Sequence, residues 1–97
     1  MAGPLFKRIH NMRFQGSVLK EQGVTFGVVV VKRHVLNVPS QARDVISEAS
    51  VLFGGIPVVL VAQESGGRAY WYGRTDIVNY MKNVPLAAIP WKWYELN

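Results

Sequence analysis

The chain has 97 residues, of which 49% are hydrophobic and 18% are charged, and it carries a formal net charge of +5 with no cysteine. This length fits one domain with a single core. The absence of cysteine excludes disulfides, thiol catalysis, thiolate metal sites and iron–sulfur clusters. The charged fraction lies below the usual value of about a quarter, which indicates that some apolar surface is covered by a partner.

The same composition favours a cytoplasmic protein, because small secreted domains usually carry disulfides. The N-terminal residues carry charge from Lys7 onward and contain no apolar core of a signal peptide. The longest apolar stretch, residues 51–62, is too short to cross a bilayer and is interrupted by glycine and proline. We therefore expect no membrane association and one α+β domain over residues 1–97, in which residues 1–11 can be loose.

The first half of the chain predicts two strands. Residues 12–20 alternate between two faces, with Phe14, Gly16 and Val18 on one of them. A turn at residues 21–23 leads to a second strand over residues 24–33, whose central valines are apolar on both faces. A strand of this kind is usually central in its sheet and covered on both sides.

A helix, a hairpin and a second helix follow. Apolar residues from Ala42 to Phe53 recur at helical spacing, with Asn37 or Ser40 as a side-chain cap and Pro39 in the first turn. Residues 58–63 and 68–72 predict two strands joined by a tight turn. A second helix, capped by Gly73 or Thr75, then runs toward Pro85, which ends it.

The predicted element order is β-β-α-β-β-α. It indicates an α+β fold with a mixed sheet of about four strands and helices mainly on one face. The tail, residues 89–94, is expected to be extended or irregular, and it holds too much aromatic surface to be left in water.

The dipeptide Ile56-Pro57 stands between the first predicted helix and the hairpin. In this element order, residues 26–84 are similar to the C-terminal half of thioredoxin-like domains, where a cis proline precedes the hairpin. The chain lacks the CxxC motif and the N-terminal strand–helix unit of that family. The resemblance therefore implies a related order of elements and no thiol redox chemistry.

Residues suited to catalysis are few and scattered. His10 and His34 lie beside basic residues with no acid near them in sequence, which favours surface positions in basic clusters over a role as general base. Asp44 and Glu48 share a helix face but supply too few oxygens for a metal ion. Neither a nucleophile elbow nor a phosphate loop is present. We expect no catalytic residue, no metal site and no cofactor.

The least ordinary feature is a set of aromatic and basic residues that interleave toward the C-terminus. The candidate binding residues are Arg68, Tyr70, Tyr72, Arg74, Trp91, Lys92 and Trp93. A candidate basic patch consists of Lys7, Arg8, Arg13, Lys32, Arg33 and His34. These residue types suit a protein interface, a surface for single-stranded nucleic acid, or a small-molecule pocket. They equally suit a core in which Trp71 and one tail tryptophan are buried.

Three functions follow from these patterns. We favour a non-catalytic interaction module that binds a protein partner or forms a homo-oligomer, through the hairpin strand or the aromatic tail. The alternative is a nucleic-acid-binding domain, which requires the basic residues to converge on one face. A further alternative is a small ligand-binding protein or enzyme with a pocket near His34, Glu64, Tyr72 and Arg74.

Overall fold

The computed structural model describes residues 13–95. The five strands are β1 (Arg13–Glu21), β2 (Val24–Val30), β3 (Val58–Gln63), β4 (Ala69–Tyr72) and β5 (Lys92–Glu95). The helices are α1 (Arg33–Leu36), α2 (Pro39–Leu52) and α3 (Thr75–Met81), followed by a 3₁₀ turn at Leu86–Ala88. The prediction that residues 1–11 can be loose lies outside the described residues.

The strands form one mixed sheet in the order β4-β3-β2-β1-β5. β2 and β3 are parallel, and each of the other neighbouring pairs is antiparallel. The α+β fold with a mixed sheet is thus confirmed. The sheet has one strand more than the predicted number of about four, because the aromatic tail pairs with β1, with Tyr94 opposite Phe14.

Helices cover both faces of the sheet. The α1–α2 face carries Val29, Val58 and Leu60, which pack with Ala42 and Ala49 of α2. The residues that alternate with these along β2 and β3 point to the α3 face. The core of that face consists of Phe26, Val28, Val59, Val61, Ile77, Met81 and Ile89. Most helical residues, those of α1 and α2, lie on one face, as predicted, and the seven-residue α3 covers the other. The central strands are apolar on both faces, so both faces need cover.

The connection after β2 differs from the prediction. β2 ends at Val30 rather than Arg33, because the chain turns into the four-residue helix α1, which sequence periodicity did not indicate. Neither Asn37 nor Ser40 caps α2: its N-cap is Val38, without a side-chain hydrogen bond. The Asn37 side chain instead accepts a hydrogen bond from Arg33 Nη1.

A further expectation, about the cap of the second predicted helix, is wrong. The N-cap of α3 is Arg74, without a side-chain cap hydrogen bond, so neither Gly73 nor Thr75 serves as the cap. The described residues contain no cis peptide bond. The bond before Pro57 is therefore trans, unlike the one before the corresponding proline of thioredoxin-like domains.

A glycine in β2 allows an aromatic ring to lie on the sheet. A Cβ atom on Gly27 would lie 2.7 Å from Cδ2 and 2.8 Å from Cε2 of Phe53. The Phe53 ring is held in place by edge contacts with Phe14 and Tyr94. We expect Gly27→Ala to lower the free energy of unfolding by about 1–3 kcal/mol through overpacking, as measured by urea denaturation.

The same substitution should cost less in a Phe53→Leu background, because a smaller and more flexible side chain can move aside. Val51→Ala is the control for a change of apolar side chain elsewhere. Its side chain is 80% exposed, so the free energy of unfolding should change by less than about 0.5 kcal/mol. An equal cost of Gly27→Ala in both backgrounds would show that contact with Phe53 is not the cause.

Candidate functional site

The structure divides the candidate binding residues between the two edges of the sheet. Tyr70 lies on β4 and Trp93 on β5, and three strands separate these two edges. At the usual strand spacing of ~4.8 Å the edges lie roughly 19 Å apart. The candidate residues therefore do not form a single aromatic and basic face. Lys7 and Arg8 lie outside the described residues.

At the β4 edge, two arginines meet one aromatic ring, and we call Arg33, Arg68 and Tyr70 the Tyr70 cluster. Cζ of Arg33 lies 4.1 Å from the centroid of the Tyr70 ring. Arg68 directly precedes β4, two positions before Tyr70, and its carbonyl oxygen accepts a hydrogen bond from Glu64 N at 2.9 Å. The pKa of Arg68 is raised above its ordinary value, first by hydrogen bonding to the Tyr70 side chain and then by Coulombic attraction to it.

Strand directions explain why these residues meet. Arg33 begins α1, just beyond the carboxyl end of β2. β3 is parallel to β2, and β4 runs back along β3 with Tyr70 opposite Ala62. The start of β4 therefore lies at the same end of the sheet as the end of β2. Lys32 and His34, both exposed, flank Arg33 in the chain.

Tyr72 and Arg74 do not join this cluster as binding groups. Tyr72 is half-buried and packs against the core of the α1–α2 face. Arg74 pairs with Asp76: its Nε donates to Oδ1 at 2.8 Å and its Nη2 donates to Oδ2 at 3.0 Å. Both of these residues therefore have structural partners.

The tail is anchored at three points before it reaches β5. The Ile89 side chain is buried in the core of the α3 face. The buried Ser17 hydroxyl donates to the carbonyl oxygen of Pro90 at 3.1 Å. The half-buried Trp91 ring packs against the same core, and its Nε1 donates to the carbonyl oxygen of Leu86 at 3.0 Å. Trp91 is therefore part of the packed structure, as is Trp71 on the same face.

Trp93 differs from Trp91 because it remains 59% exposed. It lies opposite Gln15 of β1, at the edge of the sheet. Cζ of Arg13 lies 4.6 Å from the Trp93 ring centroid. Arg13 also lies 3.9 Å from the Glu95 carboxylate, measured from Nε to Oε2. Lys92 is exposed on this strand, so the β5 edge presents one tryptophan among charged side chains.

Features suited to catalysis are limited in residues 13–95. Within that range, no three His, Asp or Glu side chains group as a metal site. A pocket of about 100 Å³ on the α3 face is lined by Gln15, Val30, Val61, Gln63, Leu86 and Trp91. Pockets for small ligands usually measure about 300–1,000 Å³. The lining includes none of the residues that the sequence suggested for a pocket, which were His34, Glu64, Tyr72 and Arg74.

None of the helices in the described part of the chain is long and apolar enough to span a bilayer. Comparisons with family models, with curated proteins and with solved structures found no match to this chain.

Sequence reasoning missed the contact that holds Arg33 in place. Arg33 and Asn37 are four positions apart, which is the spacing of neighbours on a helix surface. A single pair at that spacing does not predict a helix of four residues, and the sequence equally offers Asn37 as a cap for the following helix.

The ion pair at the start of α3 can be tested by titration. Hydrogen bonding and Coulombic attraction to Arg74 hold the pKa of Asp76 below its ordinary value. A lowered pKa means that the pair stabilises the fold above the pKa of the unfolded state and stops doing so as pH falls through the folded-state pKa. We expect Arg74→Gln to raise the Asp76 pKa, as measured by carboxyl carbon NMR. An unchanged midpoint would contradict the pairing.

The two tail tryptophans should differ in their effect on stability. Trp91→Ala removes a packed ring and a hydrogen bond, so we expect a loss of about 2–3 kcal/mol in the free energy of unfolding, somewhat below the cost for a fully buried tryptophan. Trp93→Ala should cost less than about 1 kcal/mol, the scale of an exposed cation–π contact. Chemical denaturation measures both, and equal losses would refute this division of roles.

Proposed function

We propose that the protein is a non-catalytic interaction module that forms a homo-oligomer through β5. The observation that supports this proposal is the exposure of Trp93, at 59%, on an edge strand of the described sheet. Tryptophan is enriched among the residues that contribute most to binding at protein interfaces. Trp91, two residues earlier, packs on the core instead, so the exposure of Trp93 does not follow from its place in the tail alone.

Strand pairing supplies a way for two copies to meet. An edge strand presents backbone N–H and C=O groups that can pair with another strand. Antiparallel pairing about a twofold axis normal to the sheet keeps like faces on the same side. The Trp93 side chains of two copies would then lie on one face of a continuous sheet. Stacking on Arg13 already restricts the Trp93 ring, which lowers the entropy lost on association.

The association should be weak. β5 has only four residues, and a small interface of this kind is typical of transient complexes. Lys92 on the same strand limits uncontrolled pairing, because an edge lysine is costly to cover. We further propose a cytoplasmic location, since small secreted domains usually carry disulfides and this chain has no cysteine.

Nucleic acid remains the alternative partner, now confined to one edge of the sheet. Tyr70 and two arginines support it at β4, whereas Trp93 and Lys92 lie too far away to contribute to the same surface. The further alternative, a small ligand-binding protein or enzyme, has less support because the pocket of about 100 Å³ lies away from the residues suggested for it.

Sedimentation over a wide range of protein concentration tests self-association. We expect a monomer–dimer equilibrium that Trp93→Ser weakens by at least about tenfold, the effect of losing an interface residue of this importance. The matched control is Val51→Ser, which removes another exposed apolar side chain, at the end of α2. This control should leave the equilibrium unchanged.

Hydrogen exchange of backbone amides identifies the surface. With rising protein concentration, amides of β5 should gain protection while those of β4 do not. A protein that stays monomeric at NMR concentrations would overturn the proposal. Protection that appears on β4 instead of β5 would also overturn it. Pairing of β5 only with an extended segment of another protein would replace self-association with strand addition.

A further inference from the structure

The Tyr70 cluster holds positive charge that the described structure does not neutralise by direct pairing. Arg13 and Arg74 each lie within 4.0 Å of a carboxylate. Among residues 13–95, no carboxylate lies within that distance of Arg33 or Arg68. Glu64 is the acidic residue that acts on Arg68, through a Coulombic contribution smaller than that of Tyr70.

One of the two guanidinium groups is held in place before any ligand arrives. Arg33 is half-buried, lies on the Tyr70 ring and donates to the Asn37 side chain. Those contacts use one flat face of the guanidinium and one of its N–H groups, and a guanidinium has five N–H donors. The remaining donors are available to a ligand, and ordering Arg33 costs little additional entropy.

The position of the cluster also suits a ligand. Arg33 follows the carboxyl end of β2, and Arg68 lies beside the carboxyl end of the parallel strand β3. Ligands of open α/β sheets bind beyond the carboxyl ends of parallel strands. Lys32 and His34 add exposed basic groups on either side of Arg33.

We propose that Arg33, which lies on the Tyr70 ring, and Arg68, two positions before Tyr70 at the start of β4, form a phosphate-binding site at the β4 edge of the sheet. Guanidinium groups bind phosphate through paired N–H donors. A phosphate monoester carries about −1.5 to −2 charges at neutral pH, so two arginines can neutralise it. A carboxylate carries only one negative charge and would leave one arginine unpaired. This site is independent of the self-association proposed for β5, because the two surfaces lie on opposite edges.

The first test is an NMR titration of the full chain with inorganic phosphate, at constant ionic strength maintained with chloride. The side-chain signals of Arg33 and Arg68 should shift and saturate. Arg33→Gln and Arg68→Gln should each weaken binding by at least about tenfold, the scale of a lost charge-assisted hydrogen bond. Arg68 is exposed beside a turn, so its substitution should leave the fold intact, and the amide spectrum checks this.

Arg43→Gln is the matched control, because it removes the same charge from an exposed position on α2. It should weaken phosphate binding by less than about twofold, as expected for a distant surface charge. Acetate titrated in the same way should bind more weakly than phosphate. Equal effects of the three substitutions would overturn the site, as would equal binding of acetate or the absence of saturable shifts.

The second test separates two sources of the phosphate group. A short single-stranded oligothymidylate is titrated at several salt concentrations. If the ligand is a nucleic-acid backbone, each of Arg33→Gln and Arg68→Gln should reduce the slope of log affinity against log salt by about 0.7, while Arg43→Gln leaves it unchanged. If inorganic phosphate binds at the cluster but the substitutions leave oligothymidylate binding unaffected, the ligand is a small phosphate compound. If neither probe responds to the two substitutions, the proposal fails.

Discussion

The parallel pairing of β2 with β3 places side by side two strands that are apolar on both faces, and the other elements are arranged around that pair. Val28 and Val59 on one face, and Val29 and Leu60 on the other, are each no more than 2% exposed. A parallel pair requires a long crossover, which here contains α1 and α2 and covers one face. The chain after β4 covers the other face with α3 and the 3₁₀ turn. Surfaces for binding are therefore left mainly at the edges and ends of the sheet.

The location of β5 depends on a buried polar group as well as on apolar packing. Ser17 is buried in β1, and a buried hydroxyl without a partner would cost about 1–3 kcal/mol. The carbonyl oxygen of Pro90 satisfies it. This bond, together with the packing of Ile89 and Trp91, brings the tail alongside β1 in the correct position to pair. One consequence is that Trp93 lies at the outermost edge, where the described elements leave it exposed.

The elements that sequence could predict are those with a local pattern. The apolar run of β2, the helical spacing of α2 and the turn between β3 and β4 each show within a few residues. The fifth strand could not be found in this way. Its pairing with β1 joins the two ends of the described chain, and the Ser17–Pro90 bond beside it spans 73 positions. α1 was missed because four residues are too short to show a period.

The candidate surfaces show the same limit. The spacing of Arg68 and Tyr70 predicts one strand face, whereas the structure places Tyr70 in β4 and Arg68 directly before it. Arg33 reaches Tyr70 only through the parallel register of β2 and β3, which no local pattern gives. Trp91 and Trp93 are two positions apart, so the alternation of a strand predicts the same face for both rings. The pattern therefore cannot tell the packed ring from the exposed one. Trp91 packs on the core of the α3 face and donates a hydrogen bond to Leu86, whereas Trp93 lies on the edge strand β5.

The two proposed surfaces are compatible, because β5 and β4 lie at opposite edges of the sheet. Pairing of two copies through β5 would leave a Tyr70 cluster at each far edge of a ten-stranded sheet, roughly 40 Å apart at ~4.8 Å per strand. A small phosphate compound would bind each cluster separately and gain nothing from the dimer. A single-stranded nucleic acid long enough to reach both clusters would gain affinity from the second contact through its high effective concentration. Binding of such a polymer would then strengthen dimerisation, and dimerisation would strengthen binding by the same factor.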